Sequence, residues 1–256
     1  MMQYATYPSL AGKRVVITGG GSGIGAALVD AFVKQGAKVF FLDIADEPSK
    51  AVAYALRDAT HAPQFFHCDL VDLDALSATF AEIERSGGPV DILVNNAAND
   101  DRHQIADVSH QYWDERMAVN LRHQFFCAQA VAKGMKSLGG GVILNFGSIS
   151  WHLAMQNLTV YMTAKAAIEG LTRGLARDLG EHGIRVNCIV PGSVRTPRQQ
   201  KLWNSPEDEA KIMAAQCLHE PVEVEDVAAL ALFLASDNAA RCTGRDYYVD
   251  AGWYGA

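Results

Sequence analysis

The segment Thr18-Gly19-Gly20-Gly21-Ser22-Gly23-Ile24-Gly25 constrains this chain more than any other stretch. It follows a short apolar run, Arg14 to Thr18. It leads into Ala26 to Lys34, where Leu28 and Phe32 recur at helical spacing before a stop at Gly36. Glycine at 19, 23 and 25 permits a tight turn, close approach of the backbone to a phosphate and close packing of the helix. Gly19, Gly21, Ser22, Gly23 and Ile24 are therefore candidate cofactor contacts, with N–H groups at the helix N-terminus facing a pyrophosphate. Asp43 closes the next apolar run, Val39 to Leu42, and no Arg or Lys stands immediately beside it. A carboxylate there can accept from a ribose 2′-hydroxyl and would repel a 2′-phosphate, so the sequence predicts NAD as cofactor, not NADP.

The same strand-then-helix rhythm continues. Helical stretches are expected at 51–57, 72–85, 109–135, 160–179 and 228–234. Strands are expected near 65–66 and at 92–94, 142–146, 184–190 and 247–249. The strand runs are short and apolar without strict alternation, as in strands buried on both faces, and the succession of strand and helix implies parallel neighbours. The expected fold class is α/β: a single doubly wound parallel sheet with helices on both faces (Rossmann-like), in one domain over residues 1–256.

Hydrophobic residues are 49% and charged residues 20%, a globular balance. The net charge of −7 lacks the basic footprint of a nucleic-acid binder. Cys68, Cys127, Cys188, Cys217 and Cys242 show no C-x-x-C spacing, so neither a disulfide framework nor a metal site is expected. They read as buried small hydrophobes in a reducing compartment. Met1 to Leu10 has neither a basic nor an apolar signal region, and the longest apolar run, Ala228 to Ala235, is too short for a bilayer. A soluble, cytoplasmic protein without a membrane partner is expected.

Tyr161 and Lys165 stand four apart in an expected helix and so project from one face. A free phenol has a pKa of about 10; a neighbouring ammonium, aided by the cofactor's positive ring, should lower it enough for proton abstraction. Ser148, just past a buried strand, can hydrogen-bond the substrate oxygen that exchanges a proton with Tyr161.

With the glycine loop, Cys68-Asp69-Leu70, Asn95-Asn96-Ala97-Ala98, Val119-Asn120, Ser148, Tyr161 with Lys165, and Pro191-Gly192 in order, the chain resembles the short-chain dehydrogenase/reductase family from about residue 10 onward. The resemblance implies a catalytic set of Asn120, Ser148, Tyr161 and Lys165. In it Asn120 positions a water beside Lys165, and Tyr161 and Lys165 also touch the cofactor. It further implies that Asp69 and Leu70 lie near the adenine and that Asn95 and Ala97 flank the cofactor. Pro191, Gly192, Val194 and Thr196 would run along the nicotinamide. Ala98 departs from the family's usual glycine, a change that matters only where the backbone needs positive φ.

The segments 99–103, 112–116, 120–123 and 146–152, with Asp250-Ala251-Gly252-Trp253, resemble the NAD-dependent aldose 1-dehydrogenases of that family. This implies oxidation of C1 of a cyclic aldose, D-xylose or a related pentose or hexose, to an aldonolactone. Candidate substrate contacts are Asn99, Ser148, Trp151, Asn157, Tyr161 and Arg195, with Trp151 offering a face for the sugar ring. Two alternatives stand beside it. One is a family member acting on a non-sugar alcohol or ketone such as a 3-oxoacyl thioester, against which Asp43 and the acidic charge argue. The other is a non-enzymatic NAD-binding module, which would not need the proton-relay groups. The long helices 109–135 and 160–179 resemble those that pair subunits in the family, so a homotetramer is expected. The segment 199–209 is the expected lid.

Overall fold

The computed structural model describes residues 4–203 and 205–255. Seven parallel strands form the central sheet in the order β3-β2-β1-β4-β5-β6-β9. They are β1 (Arg14–Thr18), β2 (Lys38–Asp43), β3 (Gln64–His67), β4 (Ile92–Asn95), β5 (Gly141–Phe146), β6 (Ile184–Pro191) and β9 (Asp246–Val249). Val15, Val16 and Ile17 of β1 are fully buried, because helices cover both faces.

On one face lie α1 (Gly23–Lys34), α2 (Asp46–Ala55) and α9 (Val224–Ala235). Leu28, Val29 and Phe32 of α1 join Val15, Ile17, Leu144 and Leu232 in one core. On the other face lie α3 (Leu73–Gly87) and α5 (His123–Ser137), joined toward its end by α6 (Thr159–Leu179). There Phe80, Ile83, Val131 and Leu179 pack against Val16, Phe40, Leu93 and Ile143.

The chain runs outward from β1 through β2 to β3, then returns to β4 on the other side of β1. Ligands of such sheets bind where this order reverses, outside the carboxyl ends of the strands. Here the two ends are tied together. Thr18 pairs in register with Asn95, and the Thr18 hydroxyl accepts the N–H groups of Asn96 and Ala97, each at 3.1 Å.

The structure departs from the sequence expectations in four places. The helix expected at 51–57 is α2, displaced toward the N-terminus. Asp46 and Glu47 in its first turn and the Lys50–Asp46 pair start it early. The single helix expected at 109–135 divides into α4 (His110–Met117), a π-helical turn (Ala118–Arg122) and α5. The segment after Thr196 is helical: α7 (Pro197–Leu202) and α8 (Pro206–Ala215) follow a small parallel pair, β7 (Val194–Arg195) with β8 (Val222–Glu223). Lastly, Cys217 is exposed and Cys242 half-buried, while Cys68, Cys127 and Cys188 are buried as expected; all five are free. Among the described residues no helix is long and apolar enough to cross a membrane, and no cluster of His, Cys, Asp and Glu could hold a metal ion.

Candidate active site

A cleft of about 590 Å³ opens at the carboxyl ends of the strands, within the range of ligand pockets. Gly19, Ser22, Gly23 and Ile24 form one wall. The loop has this shape because glycines allow it. Gly19 and Gly23 have φ of 68° and 51°, and a Cβ at Gly25 would lie 1.8 Å from the Gly19 carbonyl oxygen. The N-terminus of α1 therefore faces the cleft with its backbone unobstructed, as an anion requires. Asp43 lies at the same end. Its carboxylate accepts the N–H of Gly21 and of Ala45, each at 2.9 Å, which fixes it against the loop. Gly21 is thus placed behind Asp43 and does not line the cleft. Asp69, Leu70 and Ala97 complete this end; Pro191, Gly192, Val194 and Thr196 border the other. The cradle, the oriented N–H groups and the carboxylate fit a dinucleotide. Ala98 has no positive φ, so its methyl group costs no backbone strain.

Ser148, Tyr161 and Lys165 line the far end together. Lys165 is 1% exposed, and its Nζ donates to the Phe146 carbonyl at 2.7 Å and stands 5.4 Å from the Tyr161 ring centre. Burial pushes the Lys165 ammonium down to about 8. The protein's own groups, without the cofactor's positive ring, set the Tyr161 phenol above its ordinary value. Desolvation raises it above its ordinary value and the Asp100 carboxylate adds to the rise, while the Ser148 hydroxyl, hydrogen-bonded to it, pulls it down. A desolvated lysine that itself gives up its proton easily is a weak opponent of that burial.

Asn120 and Asn95 lie beneath the cleft. Asn120 is fully buried in the π-helical turn. Its Oδ1 accepts the Asn99 N–H at 2.8 Å, and its Nδ2 donates to the carbonyls of Asn99 and Arg116, both at 3.0 Å. It therefore holds both main-chain polar groups of the residue that opens the polar loop. Asn95 donates to the Asn145 Oδ1 at 3.0 Å and to the Gln124 carbonyl at 3.2 Å, and Asn145 passes the chain on to Thr172. These buried amides cross-link β4, β5, α5 and α6.

Of the expected substrate contacts, Asn99, Ser148 and Tyr161 line the cleft, and three do not. Trp151 is turned toward α6: its Nε1 donates to Glu169 Oε1 at 2.9 Å and its ring stacks on His152 at 3.7 Å between centres. Asn157 is exposed with φ of 62°, and its carbonyl accepts the His103 N–H. Arg195 pairs with Glu223 at 2.9 Å and Glu209 at 3.4 Å beside β8. Each is engaged by a neighbour that the linear sequence does not reveal.

The cleft also contains residues the motifs did not single out. Asp100 lines it, and so do Arg198 and Gln199 from α7. Arg198 Nε reaches Asp100 Oδ1 at 3.2 Å and its Nη2 reaches Asp101 Oδ1 at 2.7 Å; Gln199 Nε2 reaches Asp100 Oδ2 at 2.6 Å. The sequence marked segment 99–103 by its resemblance and 199–209 as a lid, but not that they meet, since the partners are almost a hundred residues apart.

Comparison with known proteins agrees with this geometry. A family model described as enoyl-(acyl carrier protein) reductase matches residues 19–254. D-Xylose 1-dehydrogenase of Caulobacter vibrioides is 61% identical over 252 residues, covering 98% of this chain and 100% of that protein. A Rhizobium meliloti protein provisionally named a galactose dehydrogenase is 47% identical, covering 96% of each chain. A solved Agrobacterium tumefaciens structure, provisionally named a gluconate dehydrogenase, superposes with a TM-score of 0.93 at 27% identity, covering 98% of this chain and 100% of that one.

Proposed function

The chain belongs to the short-chain dehydrogenase/reductase family, and from that premise we propose that it oxidises C1 of a cyclic aldose, D-xylose or a related sugar, to the aldonolactone with NAD⁺. The observation that carries the reading is one cleft with the glycine loop and Asp43 at one end and Ser148, Tyr161 and Lys165 at the other. The sugar is supported by the name of the 61% identical relative. A nicotinamide cofactor follows from the family, and Asp43 supports NAD, because a carboxylate held there would accept from ribose hydroxyls and repel a 2′-phosphate. When bound, that cofactor supplies the hydride acceptor.

The chain's own residues supply orientation and proton transfer. Ser148 Oγ hydrogen-bonds the anomeric oxygen and holds it beside Tyr161. Tyr161 Oη takes the hydroxyl proton as the C1–H bond gives up its electron pair, and the C1–O bond becomes the lactone carbonyl. Lys165 Nζ would hold the cofactor's ribose hydroxyls and add positive charge beside the phenol. Asn120 keeps the polar loop and the π-helical turn in register beneath them. Asp69, Leu70 and Ala97 would frame the adenine half and Pro191, Gly192, Val194 and Thr196 the nicotinamide half; Asn95, expected to flank the cofactor, is buried beneath the cleft on Asn145 and Gln124 and supports it from below. The protein acts in the cytoplasm as a homotetramer, for which the exposed Trp113 and Phe125 on α4 and α5 are support.

The test is cofactor reduction with D-xylose, L-arabinose, D-galactose, L-fucose, D-glucose and L-rhamnose, each with NAD⁺ and with NADP⁺. Turnover of one or two sugars with NAD⁺ well above NADP⁺ is expected. Silence with every sugar from protein that still binds NADH refutes the sugar and keeps the dehydrogenase.

A further inference from the structure

The loop after β4 places a carboxylate in the cleft that the reaction above does not use. Asp100 shares the cleft wall with Ser148 and Tyr161. It is fixed from both sides along the chain. Asn99 before it is clamped by Asn120 through two main-chain bonds, and Asp101 after it is clamped by Arg116 at 3.0 Å. Across the cleft Arg198 and Gln199 each take one of its oxygens. So much fixation gives a positioned acceptor, with its side chain only 22% exposed.

The position has a cost for catalysis. A negative charge close enough to raise the Tyr161 phenol opposes the proton abstraction that the site performs. A site for an apolar alcohol would gain nothing from it. A polyol does gain: a carboxylate has about four acceptor directions, so two bonds to α7 do not exhaust it. A hydroxyl donating to a carboxylate also makes a short, charge-assisted bond.

We propose that Asp100 is a specificity-determining residue, its carboxylate accepting a hydrogen bond from an aldose hydroxyl away from C1, while Arg198 and Gln199 hold it for that contact. The inference rests on the aldose reading above. It explains why the substrate loop is polar at this point, and why α7 is tied to that loop by hydrogen bonds and ion pairs.

The test is a cycle between protein and substrate. Wild type and Asp100→Asn are assayed with the preferred aldose and with its monodeoxy analogues, with NADH affinity as the control for an intact cofactor half. In wild type one monodeoxy sugar should lose roughly tenfold or more in kcat/KM. Asp100→Asn should lose a similar factor on the parent sugar, mostly in KM, and little further on that analogue, with NADH affinity unchanged. An equal loss on the parent and every analogue, or no loss at all, overturns the inference and leaves the aldose reading standing. A wild type that turns over no aldose overturns both. Should Asp100→Asn not fold, Asp100→Glu carries the same series, since moving the charge by one methylene keeps the ion pairs within reach and displaces the sugar contact.

Discussion

Tyr161 has to give up a proton that its surroundings hold. Burial and Asp100 both raise its phenol above the ordinary value of 10.0, so in the cofactor-free protein no Tyr161 phenolate should form near neutral pH. An ultraviolet difference titration of wild type against Tyr161→Phe should therefore diverge only above pH 10. A step near pH 7 that vanishes in the variant would contradict this. Since oxidation needs the deprotonated phenol, its rate should climb as pH rises from neutrality. Tyr161→Phe should cost roughly 10²- to 10⁴-fold in kcat, with cofactor affinity intact. Lys165 gives a stability prediction. Unfolded, it keeps its proton to about 10.5; folded, burial releases it at about 8. Between those values the unfolded state binds more protons, so this residue's contribution to stability rises with pH there, and below pH 8 it costs on the order of 3 kcal/mol. Lys165→Met should thus be inactive yet more stable to urea at pH 7, with the gain shrinking toward pH 10.5. An unchanged midpoint at pH 7 rejects that cost. At this scale the sequence was legible where spacing carries chemistry, as for Tyr161 and Lys165, and illegible where burial decides. Trp151 reads as a sugar platform until Glu169, two helical turns past Tyr161, is seen to accept its N–H.

The elements that shape the cleft were legible in proportion to how much of their surroundings is local. β1 and β4 stood out because strands covered on both faces carry unbroken apolar runs, Val15 to Ile17 and Ile92 to Val94. The π-helical turn was not readable, because what accompanies it is Asn120 bonding to a loop twenty-one residues away as well as to the carbonyl of Arg116. Nor were β7 and β8, two-residue strands that exist only as each other's partner. Two substitutions test these local arguments. Gly25→Ala places a methyl group against the Gly19 carbonyl and the Asn96 amide, and neither can retreat because both tie β1 to β4. It should cost roughly 3 kcal/mol and most of the cofactor affinity. Gly180→Ala, at φ of −62° with no atom within 4 Å of the new methyl, should be neutral or slightly stabilising. Equal melting temperatures for the two variants would refute the steric reading. Asn120→Ala strips three bonds from a fully buried position, so it should cost about 3 kcal/mol. It should also make the backbone amides of 99–103 exchange with solvent faster, while those of β1 stay protected.

For the whole molecule, the exposed faces bear on assembly as the sheet bears on the site. Along α6 the solvent side carries Thr163, Ala167, Gly170 and Gly174, small residues separated by three or four positions. No atom lies within 4 Å of a methyl group placed at Gly170 or at Gly174. α4 and α5, read from the sequence as a single helix, expose Trp113 at 40% and Phe125 at 42%. A face of small residues lets another helix approach closely, and exposed aromatics are the groups that gain most when a second copy covers them. These are the faces on which the proposed tetramer would assemble. The net charge of −7 weighs against it only through long-range repulsion, which physiological salt screens within about 8 Å. Light scattering at micromolar concentration should therefore return four chain masses, largely independent of salt. Gly170→Trp adds bulk where a single subunit has room, so it should leave the unfolding of one chain unaltered and lower the mass. Retention of the tetramer in that variant would remove the α6 face from the interface. A single chain mass for wild type would reject assembly through either surface. In that case the cleft of a single chain would have to turn over its sugar without help from a second copy.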